Sequence, residues 1–294
     1  MEVAPYINWI YFFHAWGFQR RHASLVYTCN CPGCSAGWVT SFAAEERPKA
    51  TEAMKLYQDA QEVLSGLNGK YRVKTVFRLC HASSDGDDII LDGTRFPLLR
   101  QQTQHKEDKP YLCLSDFVKP KTMTDDEPWP GVANTVGVFA STVDADMESI
   151  HGDDPYKHLL VQTLSDRLAE AATEKMHEYV RKQAWGYAAD EHLKIPDLLI
   201  ERFQGIRPAV GYPSLPDQSV NFIIDRLVNM GEIGIRLTEN GAMSPHASVC
   251  GLMFAHPAAE YFAVGRIGND QLHDYANRRG ISPDELKKFL AANL

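Results

Sequence analysis

Apolar residues recur at helical spacing between Glu45 and Leu67, at Met54, Leu56, Tyr57, Ala60, Val63, Leu64 and Leu67. That period predicts an amphipathic helix, and Pro48 falls in its first turn, where no backbone donor is needed. The pattern then shortens to runs of β-forming residues: "KTVFRLCHA", "DDIILDG", "TRFPLLRQQ", "YLCLSDFV" and, further on, "NTVGVFAST". Asp85-Gly86-Asp87 separates the first two as a hairpin turn. Lys119–Gly131 carries three prolines and reads as a loop. Asp154-Pro155 opens the longest helix, predicted to run to about Gln183, with Leu160, Leu164 and Leu168 facing the core. Asp166 and Glu170 share one face of it and His177 continues that stripe. Shorter helices are predicted near Pro196–Phe203, after Asp217 or Ser219, over "GNDQLHDYANRRG" and over "SPDELKKFLAANL". Residues 19–44 show no period and read as irregular. Strands and helices mixed without repeats predict one α+β domain over residues 1–294, with a mostly antiparallel, twisted sheet and flanking helices.

The opening stretch is strongly apolar, with Trp9, Tyr11, Phe12, Phe13, Trp16 and Phe18 in close succession. It lacks a basic leader and a small-residue cleavage site, so it reads as aromatic packing, not as a signal peptide. No run approaches the ~18 apolar residues of a membrane span. The 294 residues carry a formal net charge of -8, which argues against nucleic acid as the main partner. Six cysteines in so long a chain make no disulfide scaffold, and a reducing, cytoplasmic location is expected.

Two segments carry candidate chemistry. In "CNCPGC", Cys29, Cys31 and Cys34 could hold zinc if a fourth ligand came from Cys80, Cys113, His22 or His81. The alternative reading is a local loop without metal. In "GIRPAVGYPSLP", Pro208, Pro213 and Pro216 remove backbone donors, and Gly205 and Gly211 permit unusual dihedrals. The segment reads as a stiff loop presenting Arg207 and Tyr212. A planar guanidinium suits a carboxylate ligand. A proline-rich turn with an exposed arginine fits the local sequence equally well.

"QGIRPAVGYPSLPD", followed by "LTENGAMSPHASVCGLMFAHPAAEYFAVGRI", resembles the activation domain of cobalamin-dependent methionine synthase. The family signature, an arginine, three residues and Gly-Tyr, stands here as Arg207-Pro208-Ala209-Val210-Gly211-Tyr212. "YINWIYFFHAWG", "LRQQT", "YLCLSDFV", "LSDRLAEA" and "KQAWGYA" follow the family in order, so the resemblance runs from about Tyr6 to Leu294. It implies the fold of that activation domain and a methyltransferase component that binds S-adenosylmethionine. The implied role is reductive methylation: a flavodoxin-like donor supplies an electron, and inactive cob(II)alamin on the partner module becomes methylcobalamin. The resemblance also implies that Arg207, Pro208, Ala209, Gly211, Tyr212, Tyr261 and Phe262 contact S-adenosylmethionine, with Asn8 and Glu170. Asp166 and Glu170 would face the cobalamin module, and Glu201 is a weaker candidate of the same kind.

The chain departs from the pattern at Asn8, where the family has an acidic residue. An amide has no charge to offer a ligand ammonium or sulfonium, which implies weaker binding of S-adenosylmethionine. Phe262 stands where relatives carry a tyrosine. Asp190-Glu191-His192 lacks the glycine of a cobalamin-binding motif, and no Cys-Cys pair marks a homocysteine site. The expectation is a free-standing subunit, unable to make methionine alone, that acts on a cobalamin-binding module in trans. Three rival readings make different demands on the sequence. A Rossmann methyltransferase needs an early glycine-rich loop, and "AVGRIGND" has the wrong spacing and lies too late. A radical enzyme needs Cys-x3-Cys-x2-Cys, which the chain lacks. The third is a metal-binding or redox interaction protein built on Cys29, Cys31 and Cys34. His246 and His256 read as structural, and Cys250 as a small core residue.

Overall fold

The computed structural model describes residues 2–29, 31–102, 109–124, 126–130, 132 and 134–294. Thr103 of "LRQQT", and Asp125 and Gly131 of the proline loop, lie outside the described residues. The chain forms two compact units. The first comprises Met1–Lys74 and Val143–Ala172, the second Thr75–Thr142 and Thr173–Leu294.

The first unit is helical. Asn8 caps helix α1 (Trp9–Ala15) by accepting the Ile10 N–H at 3.2 Å. The predicted aromatic packing is present: Phe12, Phe13 and Phe18 are buried, and Trp9 meets Phe12 and Tyr57 edge to face. Such pairs contribute about 0.5–1.5 kcal/mol beyond their burial. Residues 19–44 are more ordered than their pattern predicts. A 3-10 helix spans Arg20–Tyr27, and helix α2 spans Pro32–Thr40. The cause is local: Cys31 acts as N-cap and Pro32 takes the first turn, a start signal hidden by an unusual capping residue. Trp38 anchors α2, with its indole N–H on Ser24 Oγ at 3.0 Å and its ring against Phe42. Helix α3 (Arg47–Leu67) buries Leu56, Ala60, Leu64 and Leu67, as its period predicts. Helix α4 (Pro155–Tyr179) begins in the first unit, with Leu160, Leu164 and Leu168 buried. Asp154 Oδ1 accepts the Lys157 N–H at 3.1 Å, the expected cap.

The second unit holds a five-stranded sheet. Its strands are β1 (Val73–Asp85), β2 (Asp88–Leu91), β3 (Thr94–Pro97), β4 (Thr135–Val143) and β7 (Ser248–Met253), in the order β3-β2-β1-β4-β7. The pairs β1–β2, β2–β3 and β4–β7 are antiparallel. Strands β5 (Arg236–Leu237) and β6 (Met243–Ser244) pair separately. Gly86, at φ +63°, takes the first place of the two-residue loop between β1 and β2. Asp92 and Gly93 both have positive φ and close the β2–β3 hairpin. This antiparallel order is the α+β fold expected, and it removes the Rossmann alternative, which needs parallel strands. "YLCLSDFV" is not a strand. Asp116 accepts the Cys113 N–H at 2.8 Å and closes a 3-10 turn over Leu114–Phe117, a side-chain bond that competes with a ladder. One face of the sheet packs into a core with α6 (Asn221–Val228), through Ile89, Leu91, Val138, Leu252, Ile223, Ile224 and Leu227. The short helix α5 covers Ile195–Leu198. Helices α7 (Asn269–Arg279) and α8 (Pro283–Phe289) complete the unit, with Leu272, Tyr275 and Leu286 buried beside Leu99. No helix among the described residues is long and apolar enough to cross a membrane.

Candidate functional site

The proline-rich segment is not a free loop. Residues 206–210 lie antiparallel along β7, outside the β4 pairing. Ile206 and Phe254 exchange both backbone bonds, at 3.0 and 2.9 Å. Leu252 N–H donates to Pro208 O at 3.1 Å, and Val210 N–H to Cys250 O at 2.9 Å. Pro208, which has no donor, therefore contributes only its carbonyl. Two glycines permit this close approach. A Cβ on Gly251 would stand 2.2 Å from Pro208 O, and one on Gly205 would stand 2.2 Å from Phe254 O. The chain then turns at Gly211, at φ +86°, whose N–H donates to Leu215 O at 2.8 Å. Ser214 Oγ fastens the turn by accepting the Phe262 N–H at 3.1 Å. Sequence spacing suggested rigidity here but gave no sign that the segment acts as an added strand.

This anchoring fixes Arg207. Its N–H donates to Tyr261 Oη at 3.0 Å, and its guanidinium lies 6.0 Å from the centre of the Phe139 ring. Nη2 is paired with Glu174 Oε1, and the two side chains are only 11% and 15% exposed. Arg207 is therefore no exposed arginine on a turn. The pair leaves two buried polar atoms, Arg207 Nε and Glu174 Oε2, without a partner among the described residues. Native interiors rarely tolerate that without a reason. Glu174 was missed in the sequence, although it continues the Asp166, Glu170 stripe by four residues. Glu201, at φ +58°, carries a carboxyl pushed above its ordinary range by burial and by Glu174, against the opposing pull of Arg207. Burial also raises the Tyr261 hydroxyl to about 12.

Behind Arg207, helix α4 ends in a π turn over Val180–Ala184, a distortion frequent at functional sites. His177 is fully buried there, edge-on to Phe203 at 4.9 Å. Arg181 lies beneath, 4.1 Å from the Phe203 ring centre and bound to Glu191 at 2.9 and 2.6 Å. Burial, then the charges of Arg207 and Arg181, hold the imidazole well below its ordinary pKa, so it is neutral. The unfolded chain therefore binds a proton at His177 that the folded chain refuses. Stability is fully present above pH ~6.5 and falls by up to about 1.4 kcal/mol per unit below it. Denaturation of wild type and His177→Phe at pH 5 and pH 7.5 checks this: the variant should lose less stability on acidification than wild type.

The other predicted residues are placed as follows. Ala209 pairs with Gly251, and its carbonyl accepts the Tyr212 N–H at 3.3 Å. Tyr212 is 56% exposed and Tyr261 is 39% exposed, while Phe262 packs against buried residues. Asn8, Asp166 and Glu170 belong to the first unit, where Glu170 pairs with Arg167 at 2.9 Å. A cleft of about 630 Å³ in that unit, lined by Lys55, Asp59, Tyr71 and Tyr156 among others, includes none of the predicted site residues. His256 Nδ1 accepts the Ala258 N–H at 3.1 Å, and Cys250 is buried with its thiol on Asn221 at 3.0 Å, both structural as expected.

The family described as "Vitamin B12 dependent methionine synthase, activation domain" matches residues 1–280. A crystal structure of the MetH reactivation domain bound to AdoHcy superposes with a TM-score of 0.83 at 34% identity. The match covers 99% of this chain and 87% of that one. The chain belongs to the activation-domain family of vitamin B12-dependent methionine synthase.

Proposed function

We propose that this chain binds S-adenosylmethionine through Arg207 and the Ala209–Tyr212 turn and supports reductive methylation of a cobalamin carried by a methionine synthase module. The observation that carries the reading is the unfinished Arg207–Glu174 pair. An amino-acid end presents one carboxylate and one ammonium. Arg207 Nε–H suits the first and Glu174 Oε2 the second, and each is a buried polar atom lacking a partner among the described residues. The AdoHcy-bound relative at 34% identity supports a ligand of that class.

S-adenosylmethionine, when bound, supplies the methyl group that, with one electron from a flavodoxin-like donor, turns cob(II)alamin into methylcobalamin. The protein's part is to bind and orient. The β7 pairing holds the Arg207 backbone, and Glu174 holds its guanidinium, before any ligand arrives, so little freedom remains to be lost on binding. Gly211 carries no side chain to obstruct close approach, the adjoining Tyr212 is exposed, and Tyr261, partly exposed, accepts the Arg207 N–H. Asp166 and Glu170 are proposed to face the cobalamin module. Calorimetric titration with S-adenosylmethionine, and visible spectra of a cob(II)alamin-loaded synthase module with reductant, test the reading. Binding heat, and methylcobalamin formed only when both this chain and S-adenosylmethionine are present, are expected. Absence of both would refute it.

A further inference from the structure

The cysteines of "CNCPGC", whose Asn30 lies outside the described residues, play no part in the proposed chemistry, yet they are grouped. The sulfurs of Cys29, Cys31 and Cys34 all lie within 4.8 Å of one another, and all three residues are exposed. Backbone amides hold two of them: Cys31 N–H donates to Cys29 Sγ and Cys34 N–H to Cys31 Sγ, each at 3.4 Å. Cys31 caps the nine-residue helix α2, and Cys34 sits three residues inside it. Helix dipole and amide donors both favour sulfur in its anionic form. The platform is firm, because Trp38 and Phe42 pin the far end of α2.

We propose that Cys29, Cys31 and Cys34 form a solvent-facing three-thiolate zinc site with its fourth position open to water or an external ligand. Zinc–sulfur bonds of about 2.3 Å in a tetrahedron require sulfurs roughly 3.8 Å apart, a spacing compatible with a cluster whose sulfurs all lie within 4.8 Å of one another. Thiolates select soft cations, and a divalent ion cancels more of the three negative charges than a monovalent one. Three of the four further ligands suggested by sequence are otherwise engaged. Cys80 and Cys113 are buried in the core of the second unit, and burial raises their thiols to about 12 and about 11. His22 is stacked on Phe42, with Nδ1 on Gln19 O at 3.0 Å.

The test is metal binding by the whole chain, purified under reducing conditions, with Zn²⁺ and with Co²⁺ as a coloured probe. One equivalent of zinc is expected, with intense thiolate–cobalt absorption in the near ultraviolet. Cys31→Ser and Cys34→Ser should each weaken zinc by more than the ~10–100-fold typical of losing a residue behind a ligand. Their far-ultraviolet circular dichroism should match wild type. Zinc uptake no greater than in the Cys29→Ser/Cys31→Ser/Cys34→Ser variant would overturn the proposal, as would binding of copper(I) without zinc. The readout involves neither S-adenosylmethionine nor cobalamin, so it stands apart from the functional reading above.

Discussion

Arg207→Ala is expected to abolish measurable binding of S-adenosylmethionine and to destabilise the protein, and Arg207→Lys should separate the two effects. Charge-assisted hydrogen bonds contribute about 1.5–3 kcal/mol each, so losing the Nε–H grip on a carboxylate and the charge behind it weakens binding roughly 100-fold. The alanine variant also strands Glu174, which keeps a buried oxygen without a partner among the described residues even in the wild type. Breaking a buried ion pair costs about 3–5 kcal/mol, and partial exposure of both side chains reduces that to about 2 kcal/mol here. Lysine restores one charge opposite Glu174 but cannot reproduce the fork. Chemical denaturation should therefore find Arg207→Lys close to wild type, while calorimetry still finds it at least about tenfold weaker for the ligand. Alanine affinity within threefold of wild type would show that the guanidinium does not hold the ligand.

How far the sequence reveals this site depends on which forces act locally. Arg207, Gly211 and Tyr212 stand in one short segment whose prolines and glycines announce unusual backbone, so their importance is legible from a dozen residues. The partner Glu174 lies 33 positions earlier, on a helix whose stripe of Asp166 and Glu170 reads as a solvated face. Nothing in helical period distinguishes the turn of that stripe that becomes buried. His177 continues the same stripe in sequence, yet it is fully enclosed beside Phe203, because the α4 helix passes from the first unit into the second at Ala172 and Thr173. Side-chain burial set by tertiary packing is invisible to a local count. The α2 helix was hidden for the opposite reason. Its start signal is local, but the capping atom is a cysteine sulfur, outside the usual set of serine, threonine, aspartate and asparagine. Likewise "YLCLSDFV" has strand-forming residues, and a single Asp116 side chain diverts it into a 3-10 turn. The β1–β2 hairpin is the clearest success, since Gly86 encodes its own dihedral, and Asp92-Gly93 carries the same kind of signal for the β2–β3 turn.

Gly251→Ala should damage both stability and ligand binding although its side chain touches no ligand in the proposed arrangement. Gly251 sits within β7, between Phe139 on one side and the Pro208–Ala209 backbone on the other. An added methyl would stand 2.2 Å from Pro208 O and 2.9 Å from Ala209 Cα. Neither neighbour is the end of a flexible side chain, so the 206–210 segment must move away from β7. That strains or breaks backbone bonds at Pro208 and Val210, each contributing about 1 kcal/mol, on top of about 1–3 kcal/mol for overpacking. A loss of about 3 kcal/mol or more is expected in chemical denaturation. Arg207 rides on the displaced segment, so its affinity for S-adenosylmethionine should fall at least about tenfold, in line with the sensitivity of bound geometry to ångström shifts. Gly137→Ala on β4 is the matched control. Its methyl would meet the Met253 side chain, the terminal carbon at 2.6 Å, which can swing aside, and Cβ at 3.0 Å, which needs a shift of only a few tenths of an ångström. That variant should lose only about 1 kcal/mol and keep its ligand affinity. Gly205→Ala should resemble Gly251→Ala, because its methyl would stand 2.2 Å from Phe254 O and its φ of +85° adds about 1–2 kcal/mol of backbone strain for any L side chain. If Gly251→Ala instead behaved like Gly137→Ala, the close pairing of the arginine segment with β7 would not be what positions Arg207.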